Sequence, residues 1–334
     1  MGAGWLDTPL SLTGKCIWVA GHNGLVGSAL LRRLERESCE VLTVGRDDLD
    51  LCRQADVERW VEAQKPDIIV IAAAKVGGIG ANSAHPAQFY YENTMIATNI
   101  MHSAYLAGIE RLLFLGSSCI YPRDCTQPIE ESALLSGTLE PTNEAYALAK
   151  IGGLKMAQYY RKEYGCDFIS AMPCNLYGVG DYYDAYNSHV IPALMMKAHK
   201  AKVQQDQALS VWGSGMPLRE FLYVDDLADA LVVLLQRYSG AGHVNIGSGQ
   251  EIEIKNLIQG VCDVVEYKGK IVFDESKPDG APRKILDSSQ LFETGWKPEI
   301  DLNTGIRKCY NDYLRRFGNE KGENNGSKPY KRAP

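Results

Sequence analysis

The chain has 334 residues, 45% hydrophobic and 23% charged, an ordinary globular balance in a chain too long for one minimal core and too short for three ordinary domains. Thirty-five basic against 41 acidic residues leave a net charge of −6, which argues against a nucleic-acid surface. Nine cysteines, an odd number without Cys-x-x-Cys or zinc-ligand spacing, argue against a disulfide scaffold or a metal site and point to a reducing, cytoplasmic compartment.

No membrane partner is expected. Residues 1–13 lack the basic start and apolar run of a signal peptide, and an apolar run such as Ile68–Ala74 is only of strand length.

In chain order, Cys16–Ala20 reads as a strand and Leu25–Glu37 as an amphipathic helix. Val41–Val44 reads as a strand, Val57–Gln64 as a helix and Ile68–Ala72 as a strand. A helical stretch around Asn99–Ala107 precedes the strand Leu112–Leu115, and another at Ala145–Tyr164 precedes Asp167–Met172. This alternation predicts an α/β fold with a doubly wound, Rossmann-type parallel sheet over residues 14–175.

After Pro173 the pattern changes. Residues 176–317 read as mainly a smaller α/β substrate domain, with the chain returning to the first domain near 213–248. Asn175–Asn187 reads as a loop, Val190–Lys202 as a helix and Leu209–Trp212 as a strand. Val224–Tyr238 reads as a helix and His243–Ile246 as a strand able to rejoin the large sheet. The polar, Gly/Asn/Lys-rich segment 318–334 reads as a disordered tail.

Gly21-His22-Asn23-Gly24-Leu25-Val26-Gly27 lies between the first strand and the first helix. Glycines at this spacing allow a tight turn and close backbone approach, leaving helix N–H groups facing a dinucleotide pyrophosphate. The second strand ends in Gly45-Arg46-Asp47. Arg46 is suited to a 2′-phosphate and favours NADP (NADPH), although a surface arginine beside an aspartate is the plainer reading.

Tyr146 and Lys150 stand four residues apart on one helix face, and Ser117 follows the strand Leu112–Leu115. The phenol can give a proton to a carbonyl oxygen as hydride arrives, while the Ser117 hydroxyl holds that oxygen. Taken alone, Cys119 reads equally as a small packing residue and a lone His189 as a structural histidine. Arg219 and Lys284 are plausible diphosphate ligands, and Trp212 can pack on a ring.

These motifs resemble the extended short-chain dehydrogenase/reductase family, and within it the branch acting on GDP-4-keto sugars. The stretches Ala72–Ile79, Phe114–Pro122, Glu140–Glu144, Asn187–Pro192, Val211–Gly215, Leu218–Leu222 and Lys277–Lys284 carry the likeness, which runs from about Lys15 to Phe317. The resemblance implies epimerisation of GDP-4-keto-6-deoxy-D-mannose at C3 and C5 followed by NADPH-dependent reduction at C4. It makes Ser117, Tyr146 and Lys150 the reduction set, Cys119 the base and His189 the acid. Leu115, Gly116, Ser117, Ser118, Lys150, Pro173, Cys174, Asn175, Leu176 and His189 join the glycine turn as cofactor-binding positions. Lys197, Trp212, Arg219, Asp279 and Lys284 become GDP-sugar ligands. A homodimer built on helices that include the Tyr146/Lys150 helix is also implied, its apolar face Ala147, Ile151, Leu154 suiting either that interface or the sheet.

Four departures from the family pattern stand out. Asn23 replaces an arginine of the glycine loop, Cys174 a threonine, Lys197 an arginine, and Val179–Tyr186 differs from the usual run before His189. The last leaves open a related GDP-4-keto sugar, such as a 3,6-dideoxy sugar leading to colitose or a 6-deoxy-heptose. A non-catalytic dinucleotide sensor of the same fold is the remaining alternative, against which Tyr146 and Lys150 speak.

Overall fold

The computed structural model describes residues 4–184, 188–277 and 279–318, apart from the side chain of Ile79. The first half alternates strands with helices: β1 (Cys16–Ala20), α1 (Leu25–Leu34), β2 (Glu40–Leu42), α2 (Gln54–Gln64), β3 (Ile68–Ile71), α3 (Ile79–Ala84), α4 (Pro86–Leu106), β4 (Arg111–Leu115), α5 (Glu144–Tyr164) and β5 (Asp167–Pro173). The second half contains β6 (Asn175–Tyr177), α6 (Val190–Gln204), β7 (Ala208–Trp212), β8 (Leu218–Tyr223), α7 (Val224–Arg237), β9 (His243–Ile246) and β10 (Glu251–Glu253). It ends in α8 (Ile254–Val265), β11 (Lys270–Asp274), β12 (Arg283–Lys284), α9 (Ser289–Phe292) and α10 (Leu302–Phe317).

Six strands form one parallel sheet in the order β2-β1-β3-β4-β5-β9. Every residue of β3 and β4 is buried, because helices cover both faces of a doubly wound sheet and leave no solvated side for polar residues. Two helix groups do the covering: α4 packs on α5 and α2, and α1 packs on α7. Trp18, Phe114 and Phe168 anchor the core between these layers.

A second core gathers Tyr177, Met195, Val211, Val261 and Ile306 from β6, α6, β7, α8 and α10. Its strands are short. β8 pairs with β6, β10 and β12, while β7 pairs with β11. The chain crosses between the two cores more than once, since α7 and β9 belong to the first, as do Leu286, Leu291 and Trp296.

Several expectations shift. α1 stops at Leu34 rather than Glu37, and α4 begins far earlier than Asn99, at Pro86, a residue suited to a first helical turn. The stretch read as a loop from Asn175 begins with β6, whose partner is the distant Phe221–Tyr223 of β8. Ala147, Ile151 and Leu154 are buried within the chain, so the face open to either role packs internally. The expected disordered tail, from residue 319 onward, lies outside the described residues.

Candidate active site

Because β1, β3, β4 and β5 run parallel in aligned register, their C-terminal ends open on one edge. Ligands of open α/β sheets bind beyond such ends. Gly21 leaves β1 at φ +89°, and a Cβ there would lie 2.5 Å from the Ala73 nitrogen. A Cβ on Gly27 would lie 2.2 Å from the Gly21 carbonyl oxygen, so the backbone itself demands both glycines. Gly24 differs: its φ is −79° and an added Cβ would meet only that same oxygen, at 3.4 Å. It precedes α1, which has no side-chain cap, so the first-turn N–H groups at Leu25 and Val26 have no competing acceptor from the cap residue. His22 and the exposed Asn23 sit on the turn. This uncapped helix end, built on crowded glycines, fits a dinucleotide pyrophosphate.

Arg46 stands beyond β2 with a side chain 71% exposed, 3.7 Å from the Glu92 carboxylate. Glu92 is held more closely by Lys75, at 3.0 Å, which leaves the Arg46 fork free to turn toward a ligand.

At the end of β4 the chain turns through Gly116, Ser117 and the single helical turn Ser118–Ile120. Gly116 has no room for a side chain, since Met172 Sδ would lie 2.1 Å from its Cβ. The Ser117 hydroxyl oxygen accepts the Cys119 N–H at 3.2 Å and meets the Tyr146 phenol. Burial pushes that phenol above its usual range; a charged Cys119 sulfur would raise it further, and the Ser117 hydrogen bond opposes both. Lys150 is buried, its ammonium donating to the Leu115 carbonyl at 2.8 Å and lying 5.8 Å from the centre of the Tyr146 ring. Desolvation lowers its pKa to about 7.

The structure thus brings Ser117, Cys119, Tyr146 and Lys150 together. It adds two groups to Cys119: the Asn143 amide donates to Sγ at 3.4 Å and the Lys284 ammonium at 3.9 Å. Ser118, the first residue of this turn, is buried.

Pro173 ends β5, and Cys174 continues toward β9, its N–H bonded to the Ile246 carbonyl at 2.9 Å. The Cys174 thiol is buried and pushed well up by desolvation. Asn175 donates from its side chain to the Glu220 carbonyl at 2.9 Å, and Leu176 packs against the first core. His189 occupies the residue before α6. It remains open to solvent, yet the protein around its ring lowers its pKa by desolvation. Among the described residues, no hydrogen bond or ring contact joins it to Ser117, Cys119, Tyr146 or Lys150.

The remaining candidates fall in two groups. Lys197 lies 5.2 Å from the centre of the exposed Trp212 ring, and burial lowers its pKa. Asp279 accepts from the Ser214 N–H at 2.9 Å and from its hydroxyl at 2.7 Å, close against Gly213 at φ +82°. Arg219 and Lys284 are register partners on the parallel strands β8 and β12. Desolvation lowers the Arg219 pKa, and Asp279 partly offsets this.

A family model described as "NAD dependent epimerase/dehydratase family" matches residues 17–247. The chain belongs to this family. It is 55% identical over 303 residues to a GDP-L-fucose synthase of Sinorhizobium fredii, covering 91% of this chain and 96% of that protein. It is 37% identical to a GDP-L-colitose synthase of Yersinia pseudotuberculosis, covering 91% and 99%. The fold matches a GDP-L-fucose synthetase from Naegleria fowleri bound to NADP, with a TM-score of 0.87 and 27% identity over 94% of this chain and 99% of that one. As in other epimerase/dehydratase family members, the cofactor is a nicotinamide dinucleotide.

Two residues of this family member escaped the sequence reading. Asn143 lay inside a quoted stretch, but no spacing argument distinguished it. Glu220 is wholly buried, and its carboxylate accepts N–H groups from Gly249 at 2.8 Å and Leu286 at 3.0 Å, tying β8 to two distant loops. A carboxylate in an otherwise apolar strand beside Arg219 was the available signal.

Proposed function

We propose that the chain epimerises GDP-4-keto-6-deoxy-D-mannose at C3 and C5 and reduces it at C4 with NADPH, giving GDP-L-fucose. The observation that supports this is the meeting of Ser117, Cys119, Tyr146 and Lys150 at the end of β4, beside an uncapped helix end. When bound, the dinucleotide supplies the hydride. Gly21, His22, Asn23, Gly24, Leu25, Val26 and Gly27 seat its pyrophosphate, and Arg46 takes the 2′-phosphate that makes NADP the preferred form. Leu115 to Ser118, Pro173 to Leu176 and His189 line the nicotinamide end.

Both C3–H and C5–H are acidified by the neighbouring C4 ketone. Cys119 removes the proton, and the electron pair passes to the C4 oxygen, which the Ser117 hydroxyl steadies. His189 returns a proton from the other face. Tyr146, kept in its neutral form by burial, then protonates the C4 oxygen during reduction. Lys197, Trp212, Arg219 and Asp279 hold the GDP portion, and Lys284, the remaining substrate-binding candidate, meets the sugar end beside Cys119.

Residues 14–175 with the return at 213–248 serve the dinucleotide, and 176–317 mainly serve the GDP-sugar. No helix among the described residues is long and apolar enough to cross a membrane. Nine cysteines without disulfide spacing support a reducing compartment, and we place the enzyme in the cytoplasm. It acts as a homodimer through α4 and α5, where Tyr91, Leu106, Leu148 and Tyr159 are exposed. Sedimentation at micromolar concentration, with Leu148→Lys as the disrupting variant, tests that state.

A related GDP-4-keto sugar is the second reading, favoured by the likeness to a colitose synthase. Within the divergent loop, Asp181 and Tyr183 are buried, and the Tyr183 hydroxyl donates to the Cys309 carbonyl at 3.1 Å, leaving Tyr182 exposed. The test is incubation with NADPH and GDP-4-keto-6-deoxymannose, followed by product NMR. Inversion at C3 and C5 with NADPH oxidation is expected; no oxidation with this sugar but turnover of its 3-deoxy analogue would select the second reading.

A further inference from the structure

Two N–H donors from distant parts of the chain converge on one sulfur. Asn143 Nδ2 approaches Cys119 Sγ at 3.4 Å from the residue preceding α5, three positions before Tyr146. Lys284 Nζ approaches it at 3.9 Å from β12, the strand that pairs with Arg219 on β8. We propose that Asn143 and Lys284 are positioning residues for Cys119, holding its sulfur as a hydrogen-bond acceptor against the sugar so that it can take a carbon-bound proton.

Three observations carry this beyond incidental packing. First, an ammonium offers donors and no acceptor, so Lys284 can only supply hydrogen bonds to the sulfur. Secondly, Asn143 stands where a helix-capping side chain would, yet it makes no cap to α5. Its oxygen Oδ1 is buried with no partner among the described residues, so its orientation is not explained by the needs of the fold. Thirdly, the Cys119 N–H is fixed by the Ser117 hydroxyl, so the same short turn orients both the group that steadies the C4 oxygen and the sulfur. The turn and the two donors therefore fix the sulfur's place relative to the hydroxyl.

The step balances simply. The carbon–hydrogen bond breaks, its proton forms an S–H bond on Cys119, and the electron pair becomes the enolate whose oxygen Ser117 faces. The proton taken up neutralises the sulfur and later leaves it for solvent. Hydride transfer at C4 uses neither Asn143 nor Lys284.

This inference rests on the epimerase reading, and the test separates the two. Wild type, Asn143→Ala, Asn143→Asp, Lys284→Met and Lys284→Arg are incubated with GDP-4-keto-6-deoxymannose in D2O without NADPH, and deuterium entry at C3 and C5 is followed by mass spectrometry at saturating sugar. No exchange by the wild type would sink the epimerase reading itself. If the wild type exchanges, Lys284→Met is expected to slow it at least tenfold, with Lys284→Arg restoring most of the rate. Asn143→Asp separates capping from donation: a carboxylate caps a helix well but repels a charged sulfur. It is expected to exchange more slowly than Asn143→Ala, with no loss of melting temperature. An Asn143→Asp rate equal to wild type, or a Lys284→Met effect confined to KM, would overturn the proposal.

With NADPH deuterated on the transferred hydrogen, the isotope effect on NADPH oxidation should fall toward unity in Lys284→Met, because proton removal becomes the slow step. An unchanged isotope effect alongside a reduced rate would mean that hydride transfer was damaged instead, and would also overturn it.

Discussion

The Lys150 ammonium lies 2.8 Å from the carbonyl oxygen of Leu115, the last residue of β4, and is shut away from water by the helix that carries it. A carbonyl dipole compensates a buried charge only in part, and the lysine pKa falls from 10.5 to about 7. In the unfolded chain the same lysine keeps its proton up to about 10.5. Between these limits the unfolded state binds more protons, so stability rises with pH; this contribution is complete above the upper limit and lost as pH falls through the lower.

Urea unfolding without dinucleotide should therefore show wild type gaining on Lys150→Met between pH 7 and 9, with a slope approaching about 1.4 kcal/mol per pH unit. A difference independent of pH would show that Lys150 is not desolvated.

Tyr146→Phe removes the phenolic proton and the contact with Ser117 while keeping the ring beside Lys150. NADPH oxidation should drop by about 10²–10⁴-fold. Deuterium exchange into the sugar should persist, since the base proposed for it is Cys119. Cys119→Ser should instead lose exchange, and with it the reduction that follows, while fluorescence-detected NADPH binding is kept. Equal losses of both activities in both variants would contradict the division of labour.

The two kinds of glycine in the turn predict different failures. Gly27→Ala pushes a Cβ to 2.2 Å from the Gly21 oxygen, so it should lower both the melting temperature and NADPH affinity. Gly24→Ala meets only one atom at 3.4 Å and keeps an ordinary φ. It should melt near wild type while weakening NADPH binding, because the added methyl occupies space where the pyrophosphate approaches. A Gly24→Ala protein with full affinity would remove the pyrophosphate from this helix end.

Arg46 is exposed and only loosely paired with Glu92 at 3.7 Å, so replacing it costs little stability, within about 0.5 kcal/mol. Arg46→Ala should reduce NADPH affinity about tenfold and leave NADH affinity unchanged, measured by fluorescence titration. With Asn23 where the family pattern has an arginine, the proposed NADP reading leaves Arg46 to carry the discrimination alone. Equal effects on both dinucleotides would refute that assignment.

The dinucleotide half was legible because its signals are local. β-Branched runs such as Ile68–Ile71, the crowded glycines Gly21 and Gly27, and the Tyr146/Lys150 spacing all declare themselves within a few residues. The other half was less so. β6, β10 and β12 have two or three residues each and exist through pairing with β8, so neither periodicity nor propensity could reveal them. The sulfur's surroundings were equally hidden: Lys284 reaches Cys119 across 165 positions of sequence, a distance only the folded chain removes. Arg219 and Lys284 were read together as diphosphate ligands, but their register as neighbours on β8 and β12 was not visible in the sequence.

β9 has a practical consequence for dissecting the molecule. It closes the large sheet beside β5, yet it is made only after the chain has passed through α6, β7 and β8. A fragment ending at Tyr177 would keep the glycine turn and the Tyr146/Lys150 helix but expose the free edge of β5, an unpaired row of N–H and C=O groups inviting association with another copy. Nor would it keep α7, whose apolar side covers α1. Expressing the dinucleotide half alone therefore requires splicing Val224–Ile246 back onto it. A cloning boundary drawn from sequence order would yield an aggregating fragment instead of a cofactor-binding unit.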